Sequence, residues 1–241
     1  MFDLHCHILY GVDDGASVLS ESVEMAKIAF ENGTKTAVLT PHGNLHQKAP
    51  LSSPENLRAR ADVLKKAVAE ENIPIKFLLG QEIFCHGDFV GGLKSGELLT
   101  LNGSDYPLVE FNFSEKYESV NRKIESLICE GFVPVIAHPE RYGFVCEDFN
   151  SLQKLKKLGS VIQINKGSLK GHFGKTAHYL ASKMLREGLV DVVASDSHSP
   201  FVRSPSLSDA HEYIAERYSV GYADLLLSEN PKKISENKKI I

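Results

Sequence analysis

The sequence predicts an α/β fold in which parallel strands alternate with helices and close into a distorted (β/α)7 TIM-like barrel. Two observations carry that expectation. Seven short apolar runs begin roughly thirty residues apart, the length of one βα unit, and patterns of helical period fill the intervals. Strict alternation implies a parallel sheet, and right-handed crossovers close such a series on itself. Seven units in place of eight imply a distorted or incomplete ring.

Taken in order, Met1-Phe2-Asp3-Leu4 runs into His5-Cys6-His7. Val23, Ala26 and Phe30 then share a helical face, with Gly33 as the stop. Ala37-Val38-Leu39 runs into Thr40-Pro41-His42, and Ser53-Pro54 is an N-cap and N1 pair for a helix carrying Leu57, Ala61, Leu64 and Val68. Phe77-Leu78-Leu79 leads to Glu82, and the glycine-rich stretch from Gly87 to Gly96 is expected to be a long βα loop at a rim. Leu108-Val109 leads to Glu110; Val120, Ile124, Leu127 and Ile128 form the next helical face, closed by Gly131. Pro134 cannot donate to a ladder, so the following strand starts after it with Val135-Ile136-Ala137 and ends at His138. Phe149, Leu152, Leu155 and Leu158 precede Gly159, and Val161-Ile162-Gln163-Ile164 stops at Asn165. Leu180, Ala181, Met184 and Leu185 precede Gly188, and Val192-Val193-Ala194 leads to Asp196-Ser197-His198. The lysine-rich stretch from Asn230 to Lys239 is expected to be a solvated terminal helix or tail.

With 241 residues, 42% of them hydrophobic, the chain can bury a core as one domain spanning 1–241, and no linker or repeat interrupts it. A net charge of −4 without a Lys/Arg block gives no footprint for nucleic acid. No window approaches the ~18 apolar residues of a membrane span, and no signal peptide is legible. Cys6, Cys85, Cys129 and Cys146 are scattered, without a CxxC pair. A cytoplasmic protein is expected.

The polar ends of the apolar runs carry the chemistry. Alternate residues of a strand face one way, so His5 and His7 point together and Cys6 points oppositely, as a small buried filler. Gly11-Val12-Asp13-Asp14-Gly15 follows, a turn offering two carboxylates. Asp196 and His198 repeat the spacing of two, His42 and His138 lie just past strands, and Glu82 and Glu110 are carboxylates on apolar strands. Each residue alone reads as an ordinary hydrogen-bonded polar group. Buried unpaired, such charges cost several kcal/mol, and as an ordered series at strand ends they describe a polynuclear metal site at a barrel mouth.

Other motifs fail. No cysteine is followed six residues later by arginine, so the phosphate loop of cysteine-dependent tyrosine phosphatases is absent. Gly174-Lys175-Thr176 has Leu169 where a nucleotide P-loop needs glycine. Lys166 and Lys170 read as a solvated loop.

The stretches DLHCHILYGVDDGA, TPHGN, GQEI, YPLVEFNF, IAHPERY, INKGSLKGHFG and ASDSHS, between residues 3 and 199, resemble the polymerase-and-histidinol-phosphatase (PHP) superfamily and, within it, the CpsB-type capsular-polysaccharide protein-tyrosine phosphatases. The resemblance implies a (β/α)7 barrel with a trinuclear centre, most often manganese, with iron or zinc as alternatives. Its ligands would be His5, His7, Asp14, His42, Glu82, Glu110, His138, Asp196 and His198, and its phosphate-binding catalytic arginines Arg141 and Arg203. The implied substrate is phosphotyrosine on a bacterial tyrosine kinase that controls capsule or exopolysaccharide assembly. Three readings compete: a histidinol-phosphate phosphatase or other small phosphomonoesterase of the superfamily, a TatD-like nuclease, and a non-catalytic PHP module that binds a partner. The Gly-Val-Asp-Asp-Gly turn and Thr-Pro-His disfavour the first, Ser-Asp-Ser-His the second, and the full set of ligand positions the third.

Overall fold

The structure is a computed structural model and describes residues 1–44 and 53–240. All seven apolar runs are strands, and every pairing is parallel. In chain order the strands are β1 (Phe2–Cys6), β2 (Thr36–Leu39), β3 (His42–Gly43), β4 (Lys76–Leu79), β5 (Glu82–Phe84), β6 (Leu108–Glu110), β7 (Val135–Ala137), β8 (Val161–Asn165) and β9 (Val192–Ala194). They form two sheets, β1-β2-β4 and β3-β5-β6-β7-β8-β9.

Two expected strand ends are strands of their own. His42 lies on β3 and Glu82 on β5, each separated from the preceding run by two residues. Pro41 has no N–H for the ladder. A Cβ on Gly80 would meet the Thr100 carbonyl and the Leu101 Cα at 3.2 Å, so glycine admits the close approach of that backbone. The two breaks lie side by side and the register survives them: Leu39 faces Leu79 below, His42 faces Glu82 above. At the far edge, an isolated parallel bridge joins Cys6 and Ser197, the Asp196 N–H donates to the His5 carbonyl at 2.8 Å, and the His7 N–H donates to the Ser197 carbonyl at 2.9 Å.

The helices are α1 (Leu19–Glu31), α2 (Pro54–Glu70), α3 (Phe89–Ser95), α4 (Tyr117–Cys129), α5 (Gly143–Glu147), α6 (Asn150–Lys157), α7 (Lys166–Leu169), α8 (Gly174–Arg186), α9 (Ser208–Arg217), α10 (Val220–Asp224) and α11 (Asn230–Ser235). The expected caps form: Ser53 Oγ accepts from the Asn56 N–H at 3.4 Å, and Gly33, Gly131, Gly159 and Gly188 follow their helices at positive φ. Leu57, Ala61, Leu64 and Val68 of α2, and Leu180, Ala181, Met184 and Leu185 of α8, are buried as their spacing requires. Leu158 is the exception, 41% exposed just past α6.

Three expectations need correction. The stretch from Gly87 to Gly96 contains α3, because Asp88 caps it by accepting from the Gly91 N–H and Gly96 ends it in the left-handed region. The lysine-rich C-terminal stretch is anchored: Pro231 and Ile234 of α11 are buried, and Ile234 packs with Leu4 and Val38 while Lys232, Lys238 and Lys239 stay exposed. Lys166 is buried and donates to the Ser206 carbonyl, tying α7 to the segment that bears Arg203, whereas Lys170 is exposed as expected.

Side-chain direction decides where polarity collects. Leu4, Val38, Leu108, Val135, Ala137, Val161, Val192 and Ala194 share one apolar cluster, the filling between strands. Ile83, Val109, Ile136, Ile162, Ile164 and Val193 face outward to the helices. On β8 the inward series continues from Val161 to Gln163 and Asn165, so the filling turns polar toward the carboxyl ends of the strands. Strand β1 has an irregular register between Asp3 and Cys6; Leu4 belongs to the inner cluster and Cys6 to an outer one with α1 and α2.

Candidate metal centre

Strand β1 delivers His5 and His7 with their Nε2 atoms 3.1 Å apart. Glu82 Oε2, at the start of β5, lies 3.3 Å from each, and Asp196 Oδ1, just past β9, lies 3.4 and 3.5 Å from them. Donor atoms around one ion bound at ~2.0–2.2 Å sit about 3–3.5 Å apart. Glu82 is the hub of the cluster. Its Oε1 reaches His138 Nε2 at 2.8 Å and its Oε2 reaches His42 Nδ1 at 3.1 Å, while Glu110 stands 3.7 Å from His138 and 3.8 Å from His42. Beyond His42, its Nε2 lies 3.3 Å from Asp14 Oδ1, which is 3.5 Å from His198 Nε2. All nine residues predicted as ligands thus meet in one continuous cluster. Its subsets His5–His7–Asp196, His42–Glu82–Glu110 and His7–Asp14–His42–His198 each have the spacing to hold a cation.

The donor set fits a divalent metal. His42 Nδ1 is buried, has no hydrogen bond among the described residues, and sits 3.1 Å from a carboxylate oxygen, a spacing that suits a shared cation. The donors are all nitrogen and oxygen. Cys6 lies between two of them in sequence, yet its thiol points away and donates to the Val38 carbonyl at 3.2 Å.

Residues not among the nine aim them. Asp13 Oδ2 accepts from His7 Nδ1 at 2.7 Å and from the His42 N–H at 3.0 Å, and its Oδ1 accepts from the Gly15 N–H at 2.9 Å. The turn wraps so tightly that a Cβ on Gly15 would lie 2.1 Å from the His7 carbonyl oxygen. Gln163 Oε1 accepts from His5 Nδ1 at 2.9 Å; its amide donates to Asn165 Oδ1 at 2.9 Å, and the Asn165 amide donates to Asp196 Oδ2 at 2.5 Å. His5 on β1 and His7 just past it therefore each spend Nδ1 on the protein and present Nε2 to the cluster. Asp13 stands in the turn that the sequence marks; Gln163 and Asn165 carry a fainter signal, two polar residues spaced by two on an apolar strand.

The ends of β7 and β9 turn sharply. His138 and Asp196 have φ of 36° and 48°, a region that non-glycine residues seldom adopt outside constrained sites. Asp196 and His198 thus converge through a turn past Ala194, not through the pleat of a strand as the spacing suggested.

Electrostatics follow from packing carboxylates among imidazoles. Burial opposes the charge of His7, but Asp13 and Glu82 outweigh it and raise its pKa to about 9. Burial likewise opposes the charge of His42, which Glu82 and Asp14 carry up to about 11. Glu82 is held well below the usual range by His5 and His42 despite its burial. Burial, then the neighbouring charge of Glu82, pushes Glu110 up to about 8.

Both predicted arginines reach the cluster. Arg203 Nη2 pairs with Asp196 Oδ2 at 2.5 Å, and its buried Nε has no partner among the described residues. Arg141, in the 3-10 turn Pro139–Arg141, sits 3.9 Å from the same oxygen.

The arrangement has relatives. The family model of capsular polysaccharide synthesis, CpsB/CapC, matches residues 1–236. Tyrosine-protein phosphatase YwqE of Bacillus subtilis is 35% identical over 240 residues, covering 100% of this chain and 93% of that protein. Tyrosine-protein phosphatase CpsB of Streptococcus agalactiae is 29% identical over 250 residues, covering 100% of both chains. A solved structure from the pair YwqE of Bacillus subtilis and CpsB of Streptococcus pneumoniae, described as unique metal-dependent tyrosine phosphatases, superposes with a TM-score of 0.93 and 35% identity over 100% of this chain and 96% of that one. The phosphotriesterase homology protein of Escherichia coli, at 11% identity and a TM-score of 0.61 over 98% of this chain and 97% of its own, shares the fold. Among the described residues, no helix is long and apolar enough to cross a membrane.

Proposed function

This chain belongs to the CpsB/CapC family of capsular polysaccharide synthesis, and from that premise we propose that it is a metal-dependent protein-tyrosine phosphatase. The observation that carries the reading is the cluster around Glu82, in which histidines and carboxylates from six strands converge beside two arginines. We read residues 1–241 as one domain and the two sheets as a single distorted (β/α)7 barrel. The break between β2 and β3, the adjacent break between β4 and β5, and the Cys6–Ser197 bridge support that reading.

His5, His7, Asp14, His42, Glu82, Glu110, His138, Asp196 and His198 would hold about three divalent ions, with manganese first and iron or zinc as alternatives that a set of nitrogen and oxygen donors also accepts. Such ions supply, when bound, acidification of water to a nucleophile near neutral pH and neutralisation of phosphoryl charge. The protein's own groups do the rest. Asp13 and Gln163 fix the imidazoles of β1. Arg141 and Arg203 present planar N–H forks to the phosphoryl oxygens. The departing phenolate has a pKa of about 10, so its protonation assists the reaction without being required. The substrate is phosphotyrosine on a protein, and the capsule setting of the family favours a bacterial tyrosine kinase. Four free cysteines suit a reducing cytoplasm.

The test compares kcat/KM on a phosphotyrosine peptide, a phosphoserine peptide and histidinol phosphate, all with manganese. Preference for phosphotyrosine is expected. A roughly hundredfold preference for histidinol phosphate, about 2.7 kcal/mol of transition-state binding, would instead identify a small-molecule phosphatase.

A further inference from the structure

We infer that Phe113 and Phe173 form an aromatic wall that receives the aryl ring of the substrate and makes the site select aryl over alkyl phosphates; the inference rests on the phosphotyrosine reading. The connections after β6, β7 and β8 carry Phe113, Arg141 and Phe173 respectively. They converge: the Arg141 Cζ lies 4.4 Å from the centroid of the Phe113 ring and 4.6 Å from that of Phe173. The Phe173 ring also stands 5.5 Å from the Arg203 Cζ, so it adjoins both guanidinium groups that face the cluster. Phe113 continues inward, 5.9 Å from the His138 ring and 5.9 Å from Tyr142.

Two features point to a ligand as well as to support for Arg141. Phe113 is 40% exposed, a large apolar surface held beside the charged centre. A cavity of ≈ 370 Å³ lies beside Arg141, bounded by Phe113, Arg141, Tyr142, Cys146 and Phe173, within the ~300–1,000 Å³ of small-ligand sites. Cation–π contact engages the faces of a guanidinium and leaves its N–H edges for oxygen acceptors. A phosphoryl group on those edges, with a single ester oxygen between phosphorus and ring, brings an aryl substituent against the phenylalanines. An alkyl phosphate places only a methylene there.

The test measures Kd of the metal-loaded protein for phenylphosphonate and methylphosphonate, which have no leaving group, in wild type, Phe113→Ser and Phe173→Leu. It is paired with kcat/KM on phosphotyrosine and phosphoserine peptides. Wild type should prefer phenylphosphonate. Each variant should lose roughly three- to tenfold in phenyl affinity, the size of one aromatic contact, with methyl affinity within about twofold. Equal losses for both ligands would mean that the rings only orient Arg141 and would overturn the wall, as would no loss in either variant. Phe113 is exposed enough that Phe113→Ser carries the test should Phe173→Leu fail to fold. A wild type that keeps the phenyl preference but does not hydrolyse phosphotyrosine contradicts the functional reading and leaves the wall standing. One that hydrolyses it, with unchanged ratios in both variants, contradicts the wall alone.

Discussion

Asp13 and His7 meet at 2.7 Å, Oδ2 against Nδ1, and this contact decides which nitrogen of His7 faces the cluster. Asp13 is held below the usual carboxylate range: burial opposes its charge, but His7 outweighs it. It therefore accepts, and the neutral form of His7 carries its lone pair on Nε2. Asp13→Asn can donate to Nδ1 and favour the other tautomer. Metal affinity should fall about 10- to 100-fold, the loss typical of such outer partners, with little change in the far-ultraviolet circular dichroism. Calorimetric titration with manganese checks this.

Metal binding should release protons. A cation on His7 and His42 competes with protons that Asp13, Glu82 and Asp14 hold to about pH 9 and about pH 11. Below those values affinity should rise with pH, by up to about tenfold per unit for each proton displaced. Calorimetry in two buffers of different ionisation heat counts the protons. Affinity independent of pH between 6 and 8 would contradict the assigned nitrogens.

Arg141 and Arg203 should separate. Arg203 is bound to Asp196 Oδ2 at 2.5 Å, while Arg141 lies 3.9 Å from it. Arg141→Ala should keep its metal and lose roughly tenfold or more in kcat/KM, as for a charge-assisted contact of ~1.5–3 kcal/mol. Arg203→Ala should lose activity and also weaken metal binding, because it frees Asp196. Metal analysis beside kinetics distinguishes the two.

Glu140 should make stability depend on pH. It is fully buried; its Oε1 accepts from the Asn165 N–H at 2.9 Å and the Ser168 hydroxyl at 2.6 Å, and Oε2 has no partner among the described residues. Burial raises its pKa to about 7. A raised folded-state pKa favours folding fully below the unfolded value of ~4.3 and loses that contribution as pH climbs through 7. Glu140→Gln should therefore gain stability relative to wild type between pH 5 and pH 8, by on the order of 1–3 kcal/mol. Denaturant melts at both pH values, at equal metal concentration, give the difference.

Much of this was legible because both the fold and the cluster are written locally. The seven strands follow from apolar runs between helices with marked ends, and His5, Glu82 and Asp196 announce themselves as polar residues where an apolar run stops. Less legible was whatever depends on distant partners. The break before Glu82 needs the Thr100–Leu101 backbone against Gly80, far along the chain. Lys166 reads as a surface lysine until the Ser206 carbonyl is placed against it. Asp196 reads as a strand residue, whereas its φ of 48° comes from the turn past β9. The helix between Gly87 and Gly96 was masked by its glycines, of which Gly91 admits the Asp88 cap, since a Cβ there would run into that carboxylate.

The most direct test of the central claim is a manganese titration of chelator-treated protein, followed by phosphate release from a phosphotyrosine peptide. The cluster around Glu82 predicts no turnover without metal and a rate that rises to a plateau near three equivalents. Turnover that persists in chelator, or none at any metal load, would contradict it.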